Sequence, residues 1–264
     1  MNIGGYSIPM VGGSFDVTTF DKEIQPGGKL FIVPNLPDIK QIDFLKGIFQ
    51  MLGLFVIYSD KDKIKLASFN SLYTNKEKAY NWSENVRSKL PVFGRTTYKI
   101  DDVARNNLFK YKEDDTVNGD YNANIKIDND ILDYSRESVT LPFSASDTRG
   151  GLAYIPINIY DSDGTGKYRS VQPRIIRRIR NGNTYKGVFS GLEWKSLIEK
   201  FYTGYEKLLD RSKVLEIVVL LSPVALKTLD MSIPVYLKQY GAYFAILEIK
   251  TGKNNLCNVK LIKL

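Results

Sequence analysis

The chain has 264 residues, 43% of them apolar and 25% charged, an ordinary globular balance that excludes intrinsic disorder. Lys and Arg total 37 against 29 Asp and Glu, and this formal +8 suits a polyanion, an acidic neighbouring subunit or simple solubility equally well. Histidine is absent and Cys257 is the single cysteine, which excludes Ser-His-Asp and Cys-His nucleophilic systems, histidine general bases, an internal disulfide and a cysteine-based zinc site.

Taken in chain order, the N-terminus lacks a basic stretch followed by an apolar segment, so no secretory signal is expected. Residues 1–27 are Gly-rich and weakly patterned, and read as an extended arm that orders against a partner. A strand over 29–33 follows, broken by Pro34 and Pro37. Ile42, Leu45, Ile48, Phe49 and Leu52 then recur at helical spacing, with Lys40, Asp43, Lys46 and Gln50 on the other face. Asp38 and Gln41 offer a cap and Gly53 a stop, so a helix is expected over about 38–53. A strand over 54–58, a polar turn and a return strand over 64–69 complete a helix-then-hairpin unit.

From about 70 to 190 short strands alternate with polar turns; Val139, Leu141 and Phe143, then Ile155, Ile157 and Ile159, repeat at period two. A second helix is expected over about 191–209, opened by a capping box of Ser190 and Glu193 and carrying Trp194, Leu197, Ile198, Phe201, Tyr205 and Leu208. Strands over 214–221, 235–237, 243–249 and 258–264 close the chain. The 17 Tyr and 13 Phe, against 2 Trp, favour strands and interfaces. The fold class expected is therefore α+β, mainly β, with those two principal amphipathic helices. The expected divisions are an arm (1–27), a helix-plus-hairpin subdomain (28–90) and a β-rich domain (91–264). No run of about 18 apolar residues is present, so no membrane span or membrane partner is expected.

Four kinds of feature invite chemistry. Residues 161–166 (DSDGTG) start like a calcium loop, but Gln172 stands where the bidentate carboxylate belongs, and a hairpin turn explains them. The carboxylate pairs Asp101-Asp102, Asp114-Asp115 and Asp128/Asp130 read as surface turns, although glycoside hydrolysis uses two carboxyls. Arg174, Arg177, Arg178 and Arg180 put four guanidiniums in seven residues. On one strand Arg174, Arg178 and Arg180 share a face able to grip phosphate or carboxylate groups, to guard an exposed edge, or to make a salt-bridged subunit contact. Cys257 lies in a strand-like stretch and reads as core. No catalytic residue, cofactor site or metal site is assigned, and the chain is not expected to be an enzyme.

Four strings together resemble tail structural proteins of phages and prophages of Bacteroidetes-type hosts: LPDIKQIDFLKGI (36–48) with the hairpin after it, VTLPFSAS (139–146), LEWKSLI (192–198) running on to Phe201, Tyr202 and Tyr205, and PVYLKQYGAYF (234–244). The helix-then-hairpin unit also resembles the corresponding element of phage tail-hub proteins. That resemblance implies small β-barrel-like domains with appended helices, a homo-oligomeric ring at the tail tip, other tail or baseplate proteins as partners, a place in the virion tail, and nucleic acid only as DNA in transit. Arg174, Arg177, Arg178, Arg180, Tyr236, Tyr240, Tyr243 and Phe244 are the expected interface residues, the aromatics serving equally as core. A carbohydrate- or receptor-binding module and a histidine-free, carboxylate-based hydrolase are the alternative readings.

Overall fold

The computed structural model describes residues 2–3, 6–7, 37–60, 63–87, 95–97, 103–156, 172–210 and 213–264. The chain divides into two units, one made of Met1–Leu36 with Ile157–Val171 and the other of Pro37–Pro156 with Gln172–Leu264. In the first unit, β1 (Asn2–Ile3) and β2 (Tyr6–Ser7) pair antiparallel. The rest of the expected arm, the strand over 29–33, the 161–166 turn and Asp101-Asp102 lie outside the described residues. Among the described residues strand makes up 41% and helix 26%, which is the α+β, mainly β class expected.

In the second unit, α1 (Gln41–Met51) leads into the antiparallel pair β3 (Leu54–Asp60) and β4 (Lys63–Ser68), so the helix-then-hairpin unit forms as read. The cap differs: Lys40 occupies the N-cap and no side chain bonds the first turn. The helix is also turned from its expected face. Gly47 and Met51 are buried, and Phe44 meets Phe143 edge-on at 5.5 Å, while Ile42 and Leu45 stay exposed. Gly47 is what permits this seating, because a Cβ there would lie 2.5 Å from the Phe143 ring. After β4 comes the short α2 (Phe69–Thr74), capped by the Ser68 hydroxyl, which accepts from the Ser71 N–H at 3.2 Å.

The first core surrounds a three-stranded sheet in the order β8 (Ala123–Lys126), β7 (Asn106–Lys112), β9 (Ser135–Ser144). Strand β9 runs parallel to β7 at the sheet edge, where Pro142 removes no ladder bond that the sheet needs. Phe109, Leu141, Phe143, Phe189 and Trp194 are all but inaccessible in this core. Several of the chain's aromatics meet here: Phe109 packs on Trp194 and on Tyr202, each at 5.0 Å between ring centres.

The second core lies on one face of an open six-stranded sheet. Its order is β5 (Tyr80–Asn81), β15 (Val235–Leu237), β16 (Ala242–Thr251), β17 (Leu256–Lys263), β14 (Val214–Leu220), β6 (Arg95–Thr97). Leu215, Ile217 and Val219 alternate inwards against Leu261, Val259 and Cys257, so Cys257 is core. Strand β5 pairs parallel with β15, and thus residues either side of position 90 share one sheet. Among the described residues no sheet closes into a barrel.

The second expected helix is two helices, α3 (Trp194–Phe201) and α4 (Thr203–Asp210). Tyr202 leaves helical geometry between them, at φ −110° and ψ 6°. Asn70 of α2 fills the break: its Oδ1 accepts from Gly204 N–H at 2.7 Å and from the Thr203 hydroxyl at 3.0 Å. No capping box forms. Glu193 sits at the N-cap and its carboxylate takes the Gly191 N–H at 2.7 Å, while Trp194 N–H finds the Tyr121 carbonyl at 3.0 Å. Helices α2 and α4 close the other face of the large sheet through Leu72, Leu208, Val214, Ala245 and Ile262.

Candidate interaction surface

Arg174 does not share a strand face with Arg178 and Arg180. It precedes the strand β12 (Arg177–Asn181), bridges Ser144 of β9, and turns its guanidinium inwards. There it donates to the Asp114 carboxylate, the Ala145 carbonyl and, at 2.8 Å, the Thr116 hydroxyl; its side chain is only 4% exposed. Burial opposes ionisation of Asp114, but the Thr116 hydroxyl and N–H and the Arg174 guanidinium outweigh it and hold the carboxyl below its ordinary value. Asp147, two residues after Ala145, is held low in the same way, its burial outweighed by N–H donors from Asn118 and Gly119 and the Tyr121 hydroxyl. Tyr121 in turn is pushed up to about 12, first by burial and then by its bond to Asp147. This cluster is loop scaffolding: Arg174 is spent on Asp114, and Asp147 on Asn118, Gly119 and Tyr121.

The other three arginines are on the surface. Strand β12 pairs antiparallel with β13 (Thr184–Val188) in a hairpin whose residues 177–186 are all exposed. The register places Arg178, Arg180, Tyr185 and Gly187 on one face and Arg177, Ile179, Asn181, Thr184, Lys186 and Val188 on the other. Arg178 stacks on the Tyr185 ring at 3.6 Å. Arg180 gives one N–H to the Gly182 carbonyl at 3.1 Å, and Arg177 reaches the Ser190 carbonyl at 2.8 Å. None of Arg177, Arg178, Arg180 and Lys186 has an ion-pair partner among the described residues.

A second hairpin lies against this one, β10 (Thr148–Arg149) with β11 (Leu152–Ala153), and β11 touches β13. It too carries an Arg–Tyr stack, Arg149 over Tyr154 at 3.7 Å. Gly150 and Gly151 both sit at positive φ, as a two-residue hairpin turn requires. Tyr185, Lys186, Arg149 and Tyr154 escaped the sequence reading. The signal that finds them is the pair of tight-turn dipeptides Gly150-Gly151 and Gly182-Asn183, each flanked by an arginine and a tyrosine.

The four expected aromatics separate onto two faces of the large sheet. Tyr236 and Tyr243 are cross-strand partners 5.0 Å apart on the face opposite the second core. Phe244 is buried in that core, and Tyr240 meets it edge-on at 5.8 Å. Tyr240 and Phe244 line a groove of about 210 Å³ with Lys213, Leu215, Ala242 and Lys263. Phe244 therefore contributes packing and the wall of a groove, not an exposed anchor.

Among the described residues no group of three or more Cys, Asp or Glu is placed to hold a metal ion, and no helix is long and apolar enough to cross a membrane. Comparison with protein-family models, curated proteins and solved structures yields no match.

Proposed function

We propose that this chain is a non-catalytic structural subunit of a phage tail or baseplate, of the tail-hub kind. It acts through subunit–subunit interfaces in a homo-oligomeric ring and resides in the virion tail. The observation that supports this reading is the rotation of α1. With α1 turned onto Gly47 and Met51, Ile42 is left 55% and Leu45 45% exposed, and Val56 and Ile64 on the following hairpin are 50% and 59% exposed. Apolar side chains concentrated on one helix-and-hairpin unit are what a subunit contact uses. That unit also contains one of the four segments whose sequence resembles tail structural proteins.

Light scattering of the purified chain across a concentration range tests the reading. A ring, or a mass that climbs with concentration, is expected, and Ile42→Asp with Leu45→Asp should return the protein to monomer with its circular dichroism unchanged. A strict monomer at every concentration sinks the ring. It would turn attention to a glycan- or receptor-binding module, for which Tyr134 and Tyr185, 78% and 58% exposed, offer stacking surfaces.

A further inference from the structure

The β12–β13 ribbon has a charge distribution that a flat protein contact does not need. Between Gln172 and Leu192 the chain carries Arg174, Arg177, Arg178, Arg180 and Lys186 and no Asp or Glu. Arg174 is neutralised in the interior by Asp114, but the remaining four cations stand on the ribbon, exposed. They are on both of its faces: Arg178 and Arg180 on one, Arg177 and Lys186 on the other. A protein partner docking on one face would leave the other pair without a counter-charge.

A duplex groove meets both requirements at once. The ribbon has five residues per strand, about 17 Å at the usual rise, and is two strands wide. The DNA major groove, about 12 Å across, admits a two-stranded ribbon and is walled by phosphates on both sides. The tip is open as well, since a Cβ on Gly182 would meet nothing within 4 Å. The stack on Tyr185 favours one placement of the planar Arg178 fork, which lowers the conformational freedom it gives up on binding.

We propose that the β12–β13 ribbon is a DNA-binding element that enters the major groove of a duplex and grips the phosphates of both walls, without reading base sequence, through Arg177, Arg178, Arg180 and Lys186. This inference is independent of the ring assembly proposed above.

The test is fluorescence anisotropy of the full chain with a labelled 20-base-pair duplex, at about 50 and about 200 mM salt, alongside polyglutamate as a competing polyanion. Four phosphate contacts predict an affinity that falls about 10²-fold between those salt concentrations. The triple variant Arg178→Ala, Arg180→Ala, Lys186→Ala should bind more than tenfold more weakly at the lower salt, and its affinity should fall only about fourfold over the same interval. A charge-matched control, Lys195→Ala, Lys227→Ala, Lys253→Ala, removes the same charge elsewhere and should retain the steep salt dependence. No binding of duplex, an equal loss in the control, or polyglutamate displacing the duplex at equal charge concentration would each overturn the proposal, the last pointing to an acidic protein as the partner.

Discussion

Arg174 and Asp114 form an ion pair that spans 60 positions of sequence and is almost closed to solvent, the side chains being 4% and 8% exposed. The pair ties the loop after β7 to the segment that leads into the basic ribbon, with the Ala145 carbonyl and the Thr116 hydroxyl completing the guanidinium's bonds. Removing one partner leaves an uncompensated buried charge, so Arg174→Met should cost about 3–5 kcal/mol in urea unfolding. The double variant Arg174→Met with Asp114→Leu should recover part of that loss, because no charge is then stranded. A single variant within about 0.5 kcal/mol of the parent, the usual range of surface substitutions, would show that the pair is not structural.

Asp114 and Asp147 give the fold a defined acid sensitivity. Both carboxyls are held below the ordinary 3.8, so the unfolded chain takes up their protons first as pH falls. Their stabilisation is complete above that value and is lost as pH drops below it towards the lower folded values. Stability measured from pH 7 down to 3 should therefore be level at first and then decline near and below pH 4. Asp147→Asn should be less stable at neutral pH and show a shallower decline; a parallel curve would remove Asp147 from this account.

Asn107 is wholly buried and makes full use of its amide. Its Oδ1 accepts from Ala104 N–H at 3.0 Å and from the Ser138 hydroxyl at 3.2 Å, and its Nδ2 donates to the Ala104 carbonyl at 2.6 Å and to the Ile125 carbonyl at 3.3 Å. Asn107→Leu orphans both backbone groups of Ala104, each costing about 1–3 kcal/mol, so a loss of at least about 2 kcal/mol is expected. Asn107→Asp should be worse at pH 7, since a carboxylate would face two carbonyls. Urea midpoints at constant slope decide the matter, and a midpoint unmoved by either change would contradict it.

Gly47 and Gly150 should respond to alanine for different reasons. At Gly47 the new methyl meets Phe143 Cε2 at 2.5 Å and Pro142 Cδ at 2.9 Å, and Phe143 is fully buried and cannot swing away. Overpacking of about 1–3 kcal/mol is offset by about 1 kcal/mol of helix propensity, leaving a net loss of up to about 2 kcal/mol. At Gly150 there is open space but φ is +56°, so alanine costs about 1–2 kcal/mol through backbone strain alone. Thermal melts separate the two causes. Replacing Phe143 by Leu should relieve Gly47→Ala and leave Gly150→Ala untouched.

Local pattern alone determined much of this protein. The spacing of Ile42 to Leu52, the period-two run from Val139 and the apolar runs at 214–221 and 235–237 identify a helix and strands that form within a few residues of the expected bounds, because an element's pattern of apolar residues reports which side of it can be wetted. The absence of histidine narrowed the available chemistry before any fold was known. Tertiary structure decided what each face meets. It turned α1 so that Gly47, and not Leu45, lies against Phe143. It broke the long second helix at Tyr202, where the Asn70 side chain supplies hydrogen bonds that an uninterrupted helix would have made internally. It also parted Arg174 from its neighbours by pairing it with a carboxylate 60 residues away. The reason is common to all three: burial and counter-charge depend on residues distant in sequence, and no window along the chain contains them.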